Sequence, residues 1–355
     1  MKILIFGAGP MGSLYAARLF EAGHDITVLD RGERLDELRR HGVVLEDAHS
    51  GRREIFSIPV VDELKEDDAY DLVMVIMRKN QALEILPVLG KNRHAHTFLF
   101  LMNNAAGPAE LIDALGSKRV MVGLPSSGGY RRGHAMRVMP ARFAPIPIGE
   151  VDGKVRERTR RVAALLNTMR DKRAQIRTDM DAYLVTHVSL LCPHLAIYAA
   201  GLDAKRLAST PDAIVLGIRA QADAMRAQRA AGIPIRPPVL QALPWIPEPF
   251  TAAVLRPIVK TTFYEAGIVG HASAARDEIQ LLVQEFRQRV APGGVEMPAF
   301  DKLAAYLHEE LPSMPEGRSE VPMKWRGVFA LGAVAVGASA ALVAASHLAS
   351  KHRNR

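Results

Sequence analysis

Gly7-Ala8-Gly9-Pro10-Met11-Gly12 stands directly behind the apolar run Ile3-Leu-Ile-Phe6. This is the spacing with which a backbone cradles a dinucleotide pyrophosphate. Gly7 allows the tight turn, Gly9 lets the chain approach the phosphates, and Gly12 lets helix and strand pack closely. The helix expected behind the loop offers unpaired N–H groups and the positive end of its dipole. Asp25–Leu29 reads as the next strand and ends at Asp30-Arg31. Asp30 occupies the slot that accepts a ribose 2′-hydroxyl in NAD-binding folds. Arg31 and Arg34 can meet a 2′-phosphate. The expected cofactor is NADP(H), and Asp30 leaves NAD(H) open.

The elements that must position these residues follow from apolar patterning. Residues 72–77, 97–102 and 120–123 are apolar runs of the kind found in parallel strands covered on both faces, and 142–149 reads as a later strand. Helical patterns fill the gaps at 13–22, 80–86, 108–115 and 155–170. From 179 onward helical periodicity dominates, with helices expected over 181–199, 211–231, 247–262, 277–290 and 298–310. The fold class is therefore an α/β Rossmann-type doubly wound parallel sheet (residues 1–177), followed by an all-α second domain (178–311) for substrate binding or dimerisation, and a C-terminal hydrophobic helix. Residues 312–326 read as a linker and 348–355 as a basic tail.

The chain has 355 residues and a net charge of +8, with one cysteine. That lone Cys192 excludes an internal disulfide and fits a reducing compartment. No cysteine or histidine cluster suggests a metal. The arginines at 156, 158, 160 and 161 lack aromatic interleaving, so no nucleic-acid partner is expected. Residues 327–346 carry no charge and are flanked by Lys324 and Arg326 on one side and Lys351 and Arg353 on the other. At 1.5 Å per residue, about twenty residues cover a bilayer core of about 30 Å. A transmembrane anchor is expected over 327–347, with the catalytic part in the cytoplasm where the cofactor is. Ala333, Gly337, Ala341 and Ala345 form a small-residue stripe that leaves a homodimer open.

The order of short motifs resembles the ketopantoate reductase family, NADPH-dependent reductases of a 2-keto acid, over about residues 1–312. Gly7–Gly12 matches the family's opening. Val28-Leu-Asp-Arg-Gly-Glu-Arg34 resembles its second-strand end, where an arginine holds the 2′-phosphate. Val75-Ile-Met-Arg-Lys-Asn-Gln81 resembles the stretch carrying a substrate-side lysine, whose position Arg78 takes. Leu101-Met-Asn-Asn-Ala-Ala-Gly107 is similar to its Asn-Gly turn, with Asn104 in place of the glycine. Arg276-Asp-Glu-Ile279 resembles the segment whose glutamate contacts the nicotinamide ribose. The resemblance implies a small-molecule 2-oxo acid substrate.

The departures concern the substrate cleft. The family's catalytic lysine lies nine residues before a proline; counting back from Pro193 gives Leu184. Its two asparagines become Val188 and Cys192. His187, one helical turn past Leu184, can serve as general acid or stand as an ordinary helix histidine, and His194 is a second candidate. Arg78 can clamp a carboxylate or form a surface ion pair. Asn103 is placed on the nicotinamide and substrate side, Glu278 on the ribose. Two functions stay open: a membrane-tethered NADP-dependent reductase, and a catalytically impaired dinucleotide-binding sensor or scaffold.

Overall fold

The computed structural model describes residues 1–139, 144–307, 311–317 and 319–325. The first half alternates strand and helix: β1 (Lys2–Phe6), α1 (Pro10–Glu21), β2 (Asp25–Leu29), α2 (Gly32–His41), β3 (Val43–Asp47), β4 (Arg53–Phe56), β5 (Val60–Val61), β6 (Leu72–Val75), α3 (Lys79–Glu84), α4 (Leu86–Lys91), β7 (Phe98–Leu101), α5 (Ala109–Leu115), β8 (Val120–Gly123), β9 (Gly128–Arg132), β10 (Ala135–Met139), β11 (Ile146–Glu150), α6 (Glu157–Leu166) and β12 (Ala174–Ile176). An eight-stranded sheet runs β12-β11-β8-β7-β6-β1-β2-β5. β6, β7 and β8 are buried at every position, which is why they read as unbroken apolar runs.

Two features depart from the expected doubly wound parallel sheet. β11 pairs antiparallel with β8, so the sheet is mixed. A second, four-stranded sheet, β4-β3-β10-β9, lies against α1. Its strands are short, and β4 and β9 are largely exposed, so their burial contrast is weak.

Beyond Ile176 every described element is helical: α7 (Met180–Leu190), α8 (Cys192–Ala199), α9 (Ala204–Ala208), α10 (Pro211–Ala230), α11 (Glu248–Val259), α12 (Thr262–Tyr264), α13 (Gly270–Ala274), α14 (Arg276–Val290) and α15 (Pro298–Ala304). A 3-10 helix spans Pro238–Trp245 and a π turn spans Glu265–Val269. The helix expected over 181–199 is two helices meeting at Leu191, whose N–H bonds back three residues to Val188. Pro193 supplies no N–H to continue the ladder there. The 247–262 helix likewise ends at Val259. α10 runs through the middle and packs on α7, α8, α9, α11 and α15. Its fully buried Ala213, Ala220, Ala224 and Ala227 let those neighbours approach closely.

Met180–Ala199 is the one described stretch long and apolar enough to cross a membrane, with a mean hydropathy of 1.3, and 80% of it is buried inside the protein. That is the behaviour of a core helix pair. The expected anchor at 327–347 and the tail after it lie outside the described residues.

The halves are joined through a buried cation. Lys79, fully shielded from solvent, places Nζ 2.5 Å from Glu285 Oε1 on α14 and 3.0 Å from Asn104 Oδ1. Asn104 also closes its own loop, accepting the Gly107 N–H and donating to the Gly107 carbonyl. Replacing Lys79 with methionine strands the buried Glu285 carboxylate, and loss of one partner of a buried pair costs about 3–5 kcal/mol. Urea unfolding should show that loss for Lys79→Met and a partial recovery when Glu285→Gln is added. Equal stability of wild type and Lys79→Met would contradict this account of the joint.

Candidate active site

The glycine loop leaves the end of β1, where the neighbours on either side, β2 and β6, depart in opposite directions along the sheet. Ligands of open α/β sheets sit at such switch points. Gly7 has φ +100°, and a Cβ there would lie 2.8 Å from the Ile76 carbonyl oxygen. A Cβ on Gly12 would run into the Gly7 carbonyl oxygen, whereas one on Gly9 would meet nothing within 4 Å. The loop is thus closed where it packs and open where a pyrophosphate would lie. Pro10 begins α1, and Met11 follows it half-exposed. No side chain caps the first turn of α1, so its N–H groups face the opening.

At the adenosine end, Asp30 is held by its own neighbours. Its Oδ2 accepts the Ala8 N–H at 2.6 Å and its Oδ1 accepts the Arg31 N–H at 2.8 Å. Arg34 is turned inward, donating to the Ala8 carbonyl, the Ser13 hydroxyl and Glu37. It braces the loop and is not available to a phosphate, which corrects its expected role. Arg31 is exposed, and its guanidinium makes no hydrogen bond or ion pair among the described residues.

Across the cleft, the loops after β6 and β7 meet α13, α14 and α7. Arg78 Nη1 donates to Asp277 Oδ1 at 2.6 Å and to the Ala274 carbonyl at 3.1 Å. Asn80 holds the other oxygen of Asp277 at 2.7 Å. Arg78 therefore stands in the cleft but is tied to α14. Glu278, buried at 2% exposure, accepts the Lys79 N–H at 3.1 Å. Burial raises its carboxyl pKa above the ordinary value, while the Lys79 N–H, the Arg78 charge and the Asn103 side chain pull it back. Its Oε2 has no hydrogen-bond partner in the described protein. Asn103 is half-buried beside it. An acceptor left without a donor at that depth fits a ribose hydroxyl.

His187 is half-buried on α7. Burial pulls its pKa down to about 4, and the nearby His271 charge adds to the shift. His271 on α13 is itself lowered by burial and by Arg78, and its Nε2 lies 3.6 Å from Glu278 Oε2. The structure thus groups Arg78, Asn103 and Glu278 around Lys79 and Asp277, with His271 beside Glu278 and its charge acting on His187. His271 is the member that sequence reasoning missed, because its only signal was a histidine seven positions before Glu278. Leu184, in the expected lysine position, is 4% exposed in an apolar cluster with Leu111, Leu124 and Met180. Val188 lies in the helical core. The side chains of Cys192 and His194 lie outside the description.

The family described as ketopantoate reductase PanE/ApbA matches residues 3–153. The 2-dehydropantoate 2-reductase of Listeria monocytogenes is 27% identical over 132 residues, covering 37% of this chain and 44% of that protein. The aligned stretches span less than half the length of the first curated relatives. The 2-dehydropantoate 2-reductase from Geobacter metallireducens superposes with a TM-score of 0.70 at 18% identity, covering 86% of this chain and 99% of that one. D-mandelate dehydrogenase with NADH and anilino(oxo)acetate superposes at 0.67 and 14% identity, covering 87% and 97%. Residues 3–153 thus match the ketopantoate reductase PanE/ApbA family model, and the chain shares the fold of the ketopantoate reductases, a Rossmann half followed by a helical half.

Proposed function

We propose that this protein is an NADP(H)-dependent oxidoreductase that reduces the carbonyl of a small 2-oxo acid, with histidines in place of the family's lysine. The observation that carries the reading is the glycine cradle, open only at Gly9, opposite a buried Glu278 oxygen that lacks a donor. Bound NADPH supplies the hydride. Gly7, Ala8, Gly9, Pro10, Met11 and Gly12 hold its pyrophosphate, Arg31 its 2′-phosphate, and Glu278 with Asn103 its nicotinamide side. Arg78 shares its charge between Asp277 and the substrate carboxylate. As the carbonyl oxygen becomes an alkoxide it needs a proton and an electrostatic partner. His187 and His271 are neutral near pH 7 in the free protein. An incoming carboxylate favours their charged forms and so raises their pKa toward working pH. His187 then donates the proton.

Leu184 favours a second reading, a dinucleotide-binding sensor or scaffold without turnover, because an alkyl side chain can neither donate a proton nor stabilise charge. The uncharged 327–346 segment supports a membrane tether in either case; the cytoplasm is the proposed site of the reaction because the cofactor is there.

Four measurements test the proposal. NADPH consumption should be seen with some member of a panel of 2-oxo acids that includes ketopantoate; binding without turnover on any of them selects the sensor. In the active case His187→Ala should lower kcat about tenfold or more, the low end for losing a general acid, with KM little changed. Arg31→Ala should weaken NADPH binding about tenfold or more while leaving NADH nearly unaffected, since a charge-assisted phosphate contact is worth roughly 1.5–3 kcal/mol. Finally, proton NMR should find His187 titrating near 4 and moving upward in His271→Asn. Its depressed value means stability falls as pH drops from about 6.5 toward about 4.

A further inference from the structure

Within residues 238–259 several large apolar side chains stand exposed, with no described part of the protein over them. In that stretch Glu248 and Arg256 are the only charges, and Glu248 is neutralised by Arg219, which donates to both of its oxygens at 2.8 and 2.9 Å. On α11, Phe250, Val254 and Ile258 recur at four-residue spacing and are 52%, 60% and 40% exposed. Ala253 and Pro257 on the same face are exposed too. Ala252 and Val259 face inward, so the helix is anchored by a narrow stripe and turns a broader apolar face outward. In the preceding 3-10 helix Trp245 is 79% and Val239 74% exposed. A soluble monomer rarely keeps a contiguous surface of this kind in water.

The path of the chain indicates what covers it. The last described residues return to the start of α11: Arg219 Nη2 donates to the Pro322 carbonyl at 2.6 Å, and the Lys324 N–H donates to Glu248 Oε2 at 2.8 Å. The last described residues, 322–325, therefore stand beside this face, and in sequence they immediately precede the uncharged 327–346 segment. Trp245 and Trp325, the only tryptophans of the chain, flank the contact, and both are exposed. Tryptophan favours the boundary between apolar lipid and water. Lys260 and Lys324 stand at the margin, where they can meet anionic headgroups.

We propose that this face lies flat on a lipid bilayer, with Trp245, Phe250, Val254 and Ile258 in the interfacial layer. The inference rests on reading 327–346 as a membrane tether and adds a second, peripheral contact to it. A helix seated this way buries its apolar side a short distance below the headgroups.

The test uses the full chain with Trp325→Phe, which leaves Trp245 as the sole reporter. The protein is reconstituted into phosphatidylcholine–phosphatidylglycerol vesicles with ordinary or brominated acyl chains. Flotation with the vesicles reads the tether; quenching of Trp245 by brominated lipid reads the face. The expected result is flotation with a roughly twofold or greater loss of emission, and a smaller loss once Phe250→Ser and Val254→Ser are added, with flotation kept. Flotation with no quenching leaves the tether standing and overturns the face. Failure to float removes both. Detergent-solubilised protein that sediments as a dimer and shields Trp245 from iodide assigns the face to a second copy and overturns the proposal.

Discussion

A lysine ammonium with no route to water must be neutralised where it stands, and the arrangement of the cleft follows from that demand at Lys79. Glu285 comes from α14, while Asn104 comes from the loop behind β7, so the pairing pins the helical half to the edge of the sheet. Lys79 also has Glu110 within 3.6 Å, but separating the pair would strip the buried Glu285 carboxylate of its cation, a loss of about 3–5 kcal/mol. The opening between the glycine loop and α14 is therefore set by a fixed post. The neighbouring residue gains from this. Because Lys79 is held, its backbone N–H meets Glu278 and the Arg78 side chain meets Asp277. One buried cation thus positions a candidate ribose ligand and a candidate carboxylate clamp.

The same cleft shows what exchanging a lysine for imidazoles demands. An ammonium brings permanent positive charge to the developing alkoxide. Burial, with the His271 charge, holds the His187 pKa down, and burial, with the Arg78 charge, holds that of His271 down, so both favour the neutral form. A site of this design would gain positive charge only when an anion enters. That couples proton supply to occupancy, and it leaves the free protein with a less positive cleft than Leu184's replacement by lysine would.

What the sequence disclosed and what it hid divide along physical lines. The βαβ opening, the buried strands at 72–75, 98–101 and 120–123, and the helical second half announced themselves, because glycine spacing and fully buried runs are local signals. The second sheet did not. β3 and β10 pair across a long stretch of chain, and β9 opens on Gly128 and Gly129, which read as loop. The antiparallel direction of β11 leaves no mark on composition. At the site, Arg34 looked as available as Arg31. Only the packing of α2 on the glycine loop turns it inward, onto the Ala8 carbonyl. Lys79 was visible only as the neighbour of Arg78, since burial of a lysine depends on a glutamate some two hundred positions away.

The position of α10 relates the cleft to the apolar face. Gln228, fully buried, bonds Thr186 and Ser189 on α7, the helix that carries His187. Arg219 on the same helix bonds Glu248 at the start of α11. At about 3.6 residues per turn, positions 219 and 228 lie two and a half turns apart and so project from opposite sides of α10. The catalytic candidates and the exposed α11 stripe therefore stand on opposite sides of one central helix. Occupying the outer face, whether by lipid or by protein, leaves substrate entry unobstructed. It would also set the cleft facing away from whatever holds α11. A water-soluble acid carrying charge reaches such a cleft from the aqueous side, where its anionic form is stable and where the nicotinamide carrier is dissolved.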